Sequence, residues 1–270
     1  HRYQQRWGAG REFDRRWMDS VAARNADPMI TWEPWNKPEG SVVEPNQHPH
    51  LLDDIASGKY DRRVRQYARA AARYRHPLVM RFMHEMNGTW YPWAAQINGN
   101  TPDDFRRAYR HVHRIFDRAH ADNVSWMFSI DTLAGGPPTP LSELETYYPG
   151  RRFVDWVGLS GFNWGPESVY PTERSFLATF QPTVDVVKAF DKPVMLAEVG
   201  TSALSADPAG WLASALRDVM RLPSVKALVW FNADTPDADF RLTPDALAAL
   251  SRDSAVPPLS RRLHTEPAAP

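Results

Sequence analysis

Residues Pro77–Gly88, with the sequence PLVMRFMHEMNG, give the clearest indication of the fold. Its first half, Pro77–Phe82, is a short and nearly continuous apolar run, typical of a strand buried on both faces of a parallel sheet. Polar residues follow at once, beginning with His84 and Glu85. Because a buried strand cannot hold an unpaired carboxylate cheaply, we expect Glu85 where the strand ends and a cleft opens.

The same pattern recurs along the chain, where short apolar runs alternate with segments of helical periodicity. The predicted strands are Pro28–Trp32, Pro77–Phe82, Val124–Ile130, Val154–Gly161, Pro193–Ala197 and Val225–Phe231, with His1–Trp7 as part of a seventh. The predicted helices are Glu12–Ala26, Asp53–Arg75 with a break near Gly58, Thr101–Ala121, Ser175–Phe190, Pro208–Arg221 and Pro244–Ser251.

This alternation predicts an α/β fold, specifically a (β/α)8 barrel that lacks its first βα unit at the N-terminus of this chain. An open doubly wound sheet is the alternative, but no strand is followed by a glycine-rich phosphate loop. We assign residues 1–255 to one catalytic barrel and the proline-rich residues 256–270 to a C-terminal tail.

Composition narrows the classes of partner. Lys and Arg number 32, as do Asp and Glu, so the formal net charge is zero and nothing favours binding to nucleic acid or an anionic membrane. The chain has no cysteine and no apolar stretch long enough to span a bilayer. A neutral polymer is the class of partner that this charge balance leaves open. We expect a monomer without a cofactor that acts outside the cell or in the periplasm.

Polar and aromatic residues collect directly after the apolar runs, and in a barrel these positions converge on one mouth. Glu85 and Glu198 are the two carboxyl groups placed to face each other there. Such a pair suffices to cleave a glycosidic bond, since one acid protonates the leaving oxygen while the other attacks the anomeric carbon. No metal is predicted, because position 88 is Gly and the His-Glu-x-x-His zinc motif is therefore absent.

Residues Leu78–Trp93, with the sequence LVMRFMHEMNGTWYPW, resemble the acid/base signature of glycoside hydrolase family 26. Four more stretches resemble the same family in the same order: Met29–Trp35, Tyr147–Gly150, Val154–Trp164 and Lys192–Gly200. That family groups β-mannanases, mixed-linkage β-glucanases and β-xylanases. The resemblance implies a retaining β-glycanase whose acid and nucleophile follow the fourth and seventh barrel strands.

Carried over by position, the resemblance implies Glu85 as acid/base and Glu198 as nucleophile. It places substrate-binding residues around them, namely His84, Asn87, Trp90, Trp93, Trp35, Asn163, Trp164 and Trp230. Arg81 is expected just inside the barrel, where it would hold Glu198 ionised. Two departures stand out: the family's first strand and most of its second have no counterpart, and Ser129–Leu133 replaces a Ser-Pro-Asn-like turn.

The leading hypothesis is an endo-acting retaining β-glycanase that hydrolyses β-glucan or β-mannan, and the Trp-Tyr-Pro-Trp ending of the signature leans slightly toward glucan. Two alternatives stay open from the sequence. One is a polysaccharide-binding module without catalysis, and the other is a hydrolase domain within a polysaccharide synthesis or export protein.

Overall fold

Seven strands form the framework of the part of the protein that the structure describes. The computed structural model describes residues 2–7, 13–35, 50–94, 97–133 and 136–244. The strands are β1 (Arg2–Arg6), β2 (Met29–Glu33), β3 (Leu78–Phe82), β4 (Val124–Asp131), β5 (Trp156–Asn163), β6 (Val194–Thr201) and β7 (Val225–Trp230). All six strands predicted from apolar runs are confirmed, and β1 confirms the seventh that His1–Trp7 was expected to supply.

Seven α-helices accompany the strands: α1 (Arg15–Ala22), α2 (Leu51–Ala56), α3 (Asp61–Tyr74), α4 (Pro102–Arg118), α5 (Leu141–Tyr147), α6 (Phe176–Val187) and α7 (Pro208–Asp218). The break predicted near Gly58 separates α2 from α3, and Gly58 has a positive φ of 91° that glycine adopts without cost. Helix α5 was not predicted, because seven residues show too little periodicity. Residues 245–251 of the expected last helix and the tail 256–270 lie outside the described residues.

The order of the strands separates a barrel from an open doubly wound sheet. All seven strands are parallel and neighbours in the sheet are neighbours in sequence, from β1 through β7. A doubly wound sheet reverses its strand order at a switch point, and no reversal occurs here. The described strands therefore follow the winding of a (β/α)8 barrel, with its helices outside. No helix in the described ranges is both long and apolar enough to cross a membrane.

The concave face of the sheet begins with an apolar layer. A small cluster of buried side chains comes from successive strands and is separate from the main core under the helices: Met29, Val79, Met127, Trp156, Met195 and Ala197. Side chains alternate between the two faces of a strand, so the residues two positions further along point to the same interior. Those residues are polar in three strands, namely Thr31, Arg81 and Ser129. The change from apolar to polar side chains marks the end of the barrel where the candidate site lies.

A β-bulge in β6 turns Glu198 into the interior. Ala197 belongs to the interior cluster, so regular alternation would point Glu198 toward the helices. The pairing of β5 with β6 shifts register between Leu159 and Ser160, so that Ser160 is opposite Glu198, and a second shift occurs against β7. The extra residue lets two consecutive side chains face the barrel axis, as bulges beside active sites commonly do.

Gly158 makes room for the polar layer. A Cβ atom at this position would lie 2.3 Å from Met127 Sδ and 3.1 Å from Ser129 Oγ. Met127 is completely buried in the interior, so it has little space to retreat. Glycine in β5 therefore allows the apolar layer and the hydroxyl of Ser129 to pack at full density.

We predict that Gly158→Ala lowers the free energy of unfolding by about 1–3 kcal/mol, because overpacking a close-packed interior forces side chains off their rotamers. Urea denaturation of the purified variant measures this loss. Gly136→Ala is the matched control, since its added Cβ would have no neighbour closer than 3.8 Å. Equal stability of the two variants would contradict the packing role of Gly158.

Candidate active site

Arg81 occupies the centre of the barrel mouth. Its side chain is completely buried, and its guanidinium donates from Nη1 to Glu198 Oε1 and from Nη2 to Glu85 Oε1, the latter at 3.1 Å. The structure places Arg81 inside the barrel beside Glu198, where it was expected, and adds a contact with Glu85. One cation therefore binds both carboxyl groups that the sequence singled out.

Three hydroxyl groups complete the surroundings of the guanidinium. Nε donates to Ser129 Oγ at 2.8 Å, Nη2 to Ser160 Oγ at 2.5 Å, and Nη1 to Thr31 Oγ1 at 3.4 Å. The accepting hydroxyls lie on strands β2, β4 and β5, so the planar fork of arginine is fixed from several sides. Burial lowers the pKa of Arg81, but the charges of Glu198 and Glu85 outweigh burial and leave it raised.

The backbone that carries Glu85 is strained. Met83 and Glu85 have positive φ angles of 50° and 55°, in the left-handed region that costs a non-glycine residue about 1–3 kcal/mol. Two hydrogen bonds hold this turn, from Glu85 N to Ser129 O at 2.9 Å and from Trp93 Nε1 to His84 O at 2.7 Å. The turn points the side chain of Glu85 back toward the barrel axis.

Glu85 and Glu198 lie close enough to act on one bond. At least one carboxylate oxygen of Glu85 is within 4.8 Å of one of Glu198, and both side chains are buried. Burial raises the pKa of Glu85, and the charge of Glu198 raises it further, while Arg81 and the hydrogen bonds from Ser160 and Trp90 oppose this. Burial and the neighbouring carboxylate thus favour the protonated form of Glu85.

A ring nitrogen of His84 joins the same cluster, within 4.8 Å of oxygens of Glu85 and Glu198. This spacing is one at which metal ligands are found. However, the guanidinium of Arg81 already binds both carboxylates, so a divalent ion would compete with a buried cation. We interpret the cluster as a carboxylate pair neutralised by arginine.

An aromatic wall borders Glu85. The ring of Trp90 is 38% exposed, the only exposed ring among the predicted site residues within the described ranges, and its Nε1 donates to Glu85 Oε2 at 2.9 Å. Behind it, Tyr91 stacks on Trp93 with ring centroids 4.5 Å apart and an angle of 10°. Trp90 thus offers a flat apolar face beside the acid, while the next two rings support it.

Two groups outside the predicted set of catalytic and substrate-binding residues also belong to the site. The hydroxyl of Tyr91 lies 2.8 Å from His84 Nε2, and Glu33 Oε1 lies 3.8 Å from the same nitrogen. Glu33 Oε2 accepts from Trp35 Nε1 at 3.0 Å. Burial, followed by the charges of Glu85 and Glu33, raises the pKa of Tyr91 well above its ordinary value. The position of Glu33 directly after an apolar run was the signal that could have identified it.

Both predicted asparagines hold loops in place. Asn87 Nδ2 donates to Asp131 O and to Thr139 Oγ1, each at 2.9 Å. Asn163 is completely buried, its Nδ2 donates to Glu173, Thr201 and Ser205, and its Oδ1 accepts from Arg174 N. Asn163 therefore has no exposed atom for a sugar in this structure, which differs from the contact expected at the cleft.

The predicted tryptophans divide into two groups. Trp164 stays partly exposed beyond β5, with its ring 4.9 Å from that of Tyr170, whereas Trp35 is buried against Tyr91 and Trp93. Trp93 has no exposed surface and is not available as a sugar contact.

Trp230 also differs from its expected place at the mouth. Its ring centroid is 6.0 Å from that of Trp211 in α7, on the helix side of the sheet. The reason is strand alternation, since Ala227 and Val229 are the residues of β7 that pack against the interior cluster.

Comparison with known proteins agrees with this arrangement. A model of glycosyl hydrolase family 26 matches residues 23–204. Endoglucanase H of Acetivibrio thermocellus is 30% identical over 251 residues, which cover 90% of this chain and 26% of that protein. Beta-1,3-xylanase TXYA of a Vibrio species is 31% identical over 112 residues, covering 41% of this chain and 22% of the relative. The chain thus spans about a quarter of the length of these curated relatives.

The fold also has solved counterparts. The GH26 beta-mannanase BoMan26A from Bacteroides ovatus aligns with a TM-score of 0.69 over 97% of this chain and 80% of that one, at 18% identity. Identity this low establishes the shared fold only. The family model covers well over half of the chain and includes both glutamates, Arg81 and the aromatic wall. The chain belongs to glycosyl hydrolase family 26.

Proposed function

We propose that the protein is an endo-acting retaining β-glycanase, with Glu85 as acid/base, Glu198 as nucleophile and β-glucan as the substrate. The observation that carries this proposal is the placement of the two carboxylates within 4.8 Å of each other on one buried arginine. Retaining enzymes separate their carboxyl groups by about 5–5.5 Å, whereas inverting enzymes need about 6.5–9.5 Å to admit a water molecule.

The first half of the reaction uses the asymmetry between the two groups. Glu85, whose pKa burial raises, gives its proton to the glycosidic oxygen as that bond breaks. An oxygen of Glu198 attacks the anomeric carbon from the opposite side and forms a glycosyl ester. Arg81 binds Oε1 of Glu198 and so orients the carboxylate for this attack.

The second half returns the enzyme to its starting state. Glu85, now a carboxylate, takes a proton from a water molecule that attacks the anomeric carbon of the ester. Glu198 leaves as a carboxylate, to which Arg81 is already bound, so no new counter-ion has to move. Two inversions at one carbon give a product with the configuration of the substrate.

Sugar recognition is assigned to the exposed aromatic surfaces. Trp90 stands beside the acid, and Trp164 with Tyr170 forms a second aromatic surface beyond β5. Such rings stack against the apolar faces of pyranose units. β-Glucan is favoured because the relative matched over 90% of this chain is an endoglucanase. A polymeric substrate also favours action outside the cytoplasm, as the sequence predicted.

The direct test is hydrolysis of barley-type β-glucan, β-mannan and β-xylan by the purified protein, with reducing ends and viscosity followed together. We expect β-glucan to be cut fastest, with viscosity falling early because an endo-acting enzyme cleaves inside the chain. Fastest cleavage of mannan or xylan would replace the substrate assignment, and no cleavage of any polymer would favour the binding-module alternative.

We predict that Glu85→Ala and Glu198→Ala each reduce kcat about a thousandfold or more while binding of the polymer is kept, because each removes a group that acts only in the transition state. Glu145→Ala, on the exposed face of α5, is the control that should retain full activity. Proton NMR of the wild-type product in the first minutes should show the β-anomer. An initial α-anomer would refute the nucleophile role of Glu198.

The pH dependence of the reaction should respond to Trp90. Its indole N–H donates to Glu85 and lowers the pKa of that carboxyl, so Trp90→Phe should raise the pKa and keep Glu85 protonated to higher pH. We expect the basic limb of the kcat/KM profile to move to higher pH, even if weaker stacking on the smaller ring raises KM. A basic limb that moves to lower pH would contradict the assignment of Glu85 as the acid.

A further inference from the structure

Asp131 is a third carboxyl group at the mouth of the barrel. It is the last residue of β4 and lies two positions after Ser129, whose hydroxyl binds Arg81 in the interior. Strand alternation therefore points Asp131 to the same side. The residue is 9% exposed and pairs in register with Ser160, the β5 residue whose hydroxyl also binds Arg81. Asp131 is thus next to the catalytic cluster and remains in contact with the cleft.

Three hydrogen bonds fasten the end of β4 to the turn that carries Glu85. Glu85 N donates to Ser129 O at 2.9 Å, Asn87 Nδ2 donates to Asp131 O at 2.9 Å, and Asp131 N donates to Asn87 Oδ1 at 2.9 Å. The side-chain amide of Asn87 thus bonds both the backbone N–H and the backbone C=O of Asp131, as a neighbouring strand would. Glu85 and Asp131 are therefore held in a fixed relation by the backbone itself.

The carboxyl of Asp131 lacks a cation of its own in the part of the chain that the structure describes. Oδ1 accepts from Leu133 N at 2.6 Å, and no ion pair to Asp131 is formed there. The nearby guanidinium of Arg81 is committed to Glu85 and Glu198. A buried carboxylate with one neutral donor is costly to ionise, so the group has a physical reason to keep a proton.

A charge balance over the cluster leads to the same result. Glu85, Glu198 and Asp131 supply three potential negative charges, and Arg81 supplies one positive charge. Full ionisation would leave two uncompensated negative charges in a buried site, which like-charge repulsion opposes. The cluster is neutral when one of the three carboxyl groups is ionised and the other two are protonated. Two protons are therefore distributed over the cluster, and burial of Glu85 and Asp131 favours holding protons on these two groups.

We propose that Asp131 is a positioning residue of the active site that acts through Glu85. The two carboxyl groups bind their protons as a coupled pair, so that Glu85 stays protonated to higher pH than it would without Asp131. Asn87 serves this arrangement by tying the two residues together. The inference rests on the proposed role of Glu85 as acid and adds a third carboxyl group to the pair that the chemistry requires.

Among the described residues, three charged groups face Asp131. Arg81 and Glu85 lie on β3 and the turn after it, and Glu198 lies on β6. Strand β5 contributes the hydroxyl of Ser160, which carries no charge. Burial raises the pKa of Asp131 well above its ordinary value, and the charges of Glu85 and Glu198 add to this against the smaller effect of Arg81. Interacting acids of this kind lose protons in steps that belong to the pair.

The test is the pH profile of kcat/KM for Asp131→Asn, a substitution that keeps an oxygen to accept from Leu133 N but removes the ionisable group. Asp131 raises the pKa of Glu85 only once it has lost its own proton, and asparagine can never carry that charge. The substitution can therefore only lower the pKa of Glu85, and the basic limb should move to lower pH by about one unit. Activity on the acid side should stay within a few-fold of wild type. This shift is opposite in sign to that expected for Trp90→Phe.

Asp122→Asn, on an exposed turn between α4 and β4, is the matched control and should leave the profile unchanged. A basic limb in Asp131→Asn that does not move, or moves to higher pH, overturns the proposal. A merely structural role would lower activity at every pH without shifting the limb.

A second measurement follows the wild-type chain and depends neither on turnover nor on the folding of Asp131→Asn. Carbon-13 NMR of labelled glutamate side chains, with the Glu85 resonance assigned by its absence in Glu85→Gln, follows the titration of Glu85 directly. We expect two steps, one for each proton of the shared pair. A single step overturns the coupling, and because no substrate is present this result is independent of the proposed hydrolysis.

Discussion

The ion pairs of Arg81 are the interaction on which the rest of the site depends. Placing a guanidinium in a protein interior carries a desolvation cost of several kcal/mol, which its partners must offset. Here two carboxylates and three hydroxyls from strands β2, β4 and β5 surround it. Removing any one partner leaves a buried charge incompletely bound, so the carboxylates are held as a set. The small size of Gly158 keeps open the space that this polar layer needs.

Backbone irregularities direct the two glutamates toward that cation. Glu85 lies on a turn with two left-handed residues, and Glu198 lies beside a bulge that breaks strand alternation. Both features cost energy locally, and packing and hydrogen bonds from neighbouring strands compensate for it. The same contacts attach β4 to the acid turn, which brings Asp131 into the cluster. Strain and acid chemistry thus occur at one end of the barrel, where strands end and the cleft begins.

The tryptophans show how one residue type serves two purposes. Trp90 presents an exposed face beside Glu85, while Trp93 and Trp35 are buried behind it. Trp230 packs against Trp211 on the helix side of the sheet. Under the proposed function, Trp90 and the aromatic surface of Trp164 with Tyr170 are therefore the rings available for sugar contacts. The buried rings fix the turn of the acid, as the bond from Trp93 Nε1 to the carbonyl of His84 illustrates.

The parallel strands, the helices between them and the two glutamates that follow apolar runs could be predicted from the sequence, because these are local patterns that burial imposes. The sequence also placed Arg81 inside the barrel. The structure extends β6 to Thr201, so Glu198 lies within the strand and not after its end. Only the tertiary structure decided that Arg81 binds both carboxylates, that a bulge turns Glu198 inward, and that Glu33, Tyr91 and Asp131 join the cluster. The burial of Trp93 and the packing of Trp230 on the helix side of the sheet also became visible only there. These features arise from contacts between residues far apart in the chain, whose register and direction no local pattern encodes.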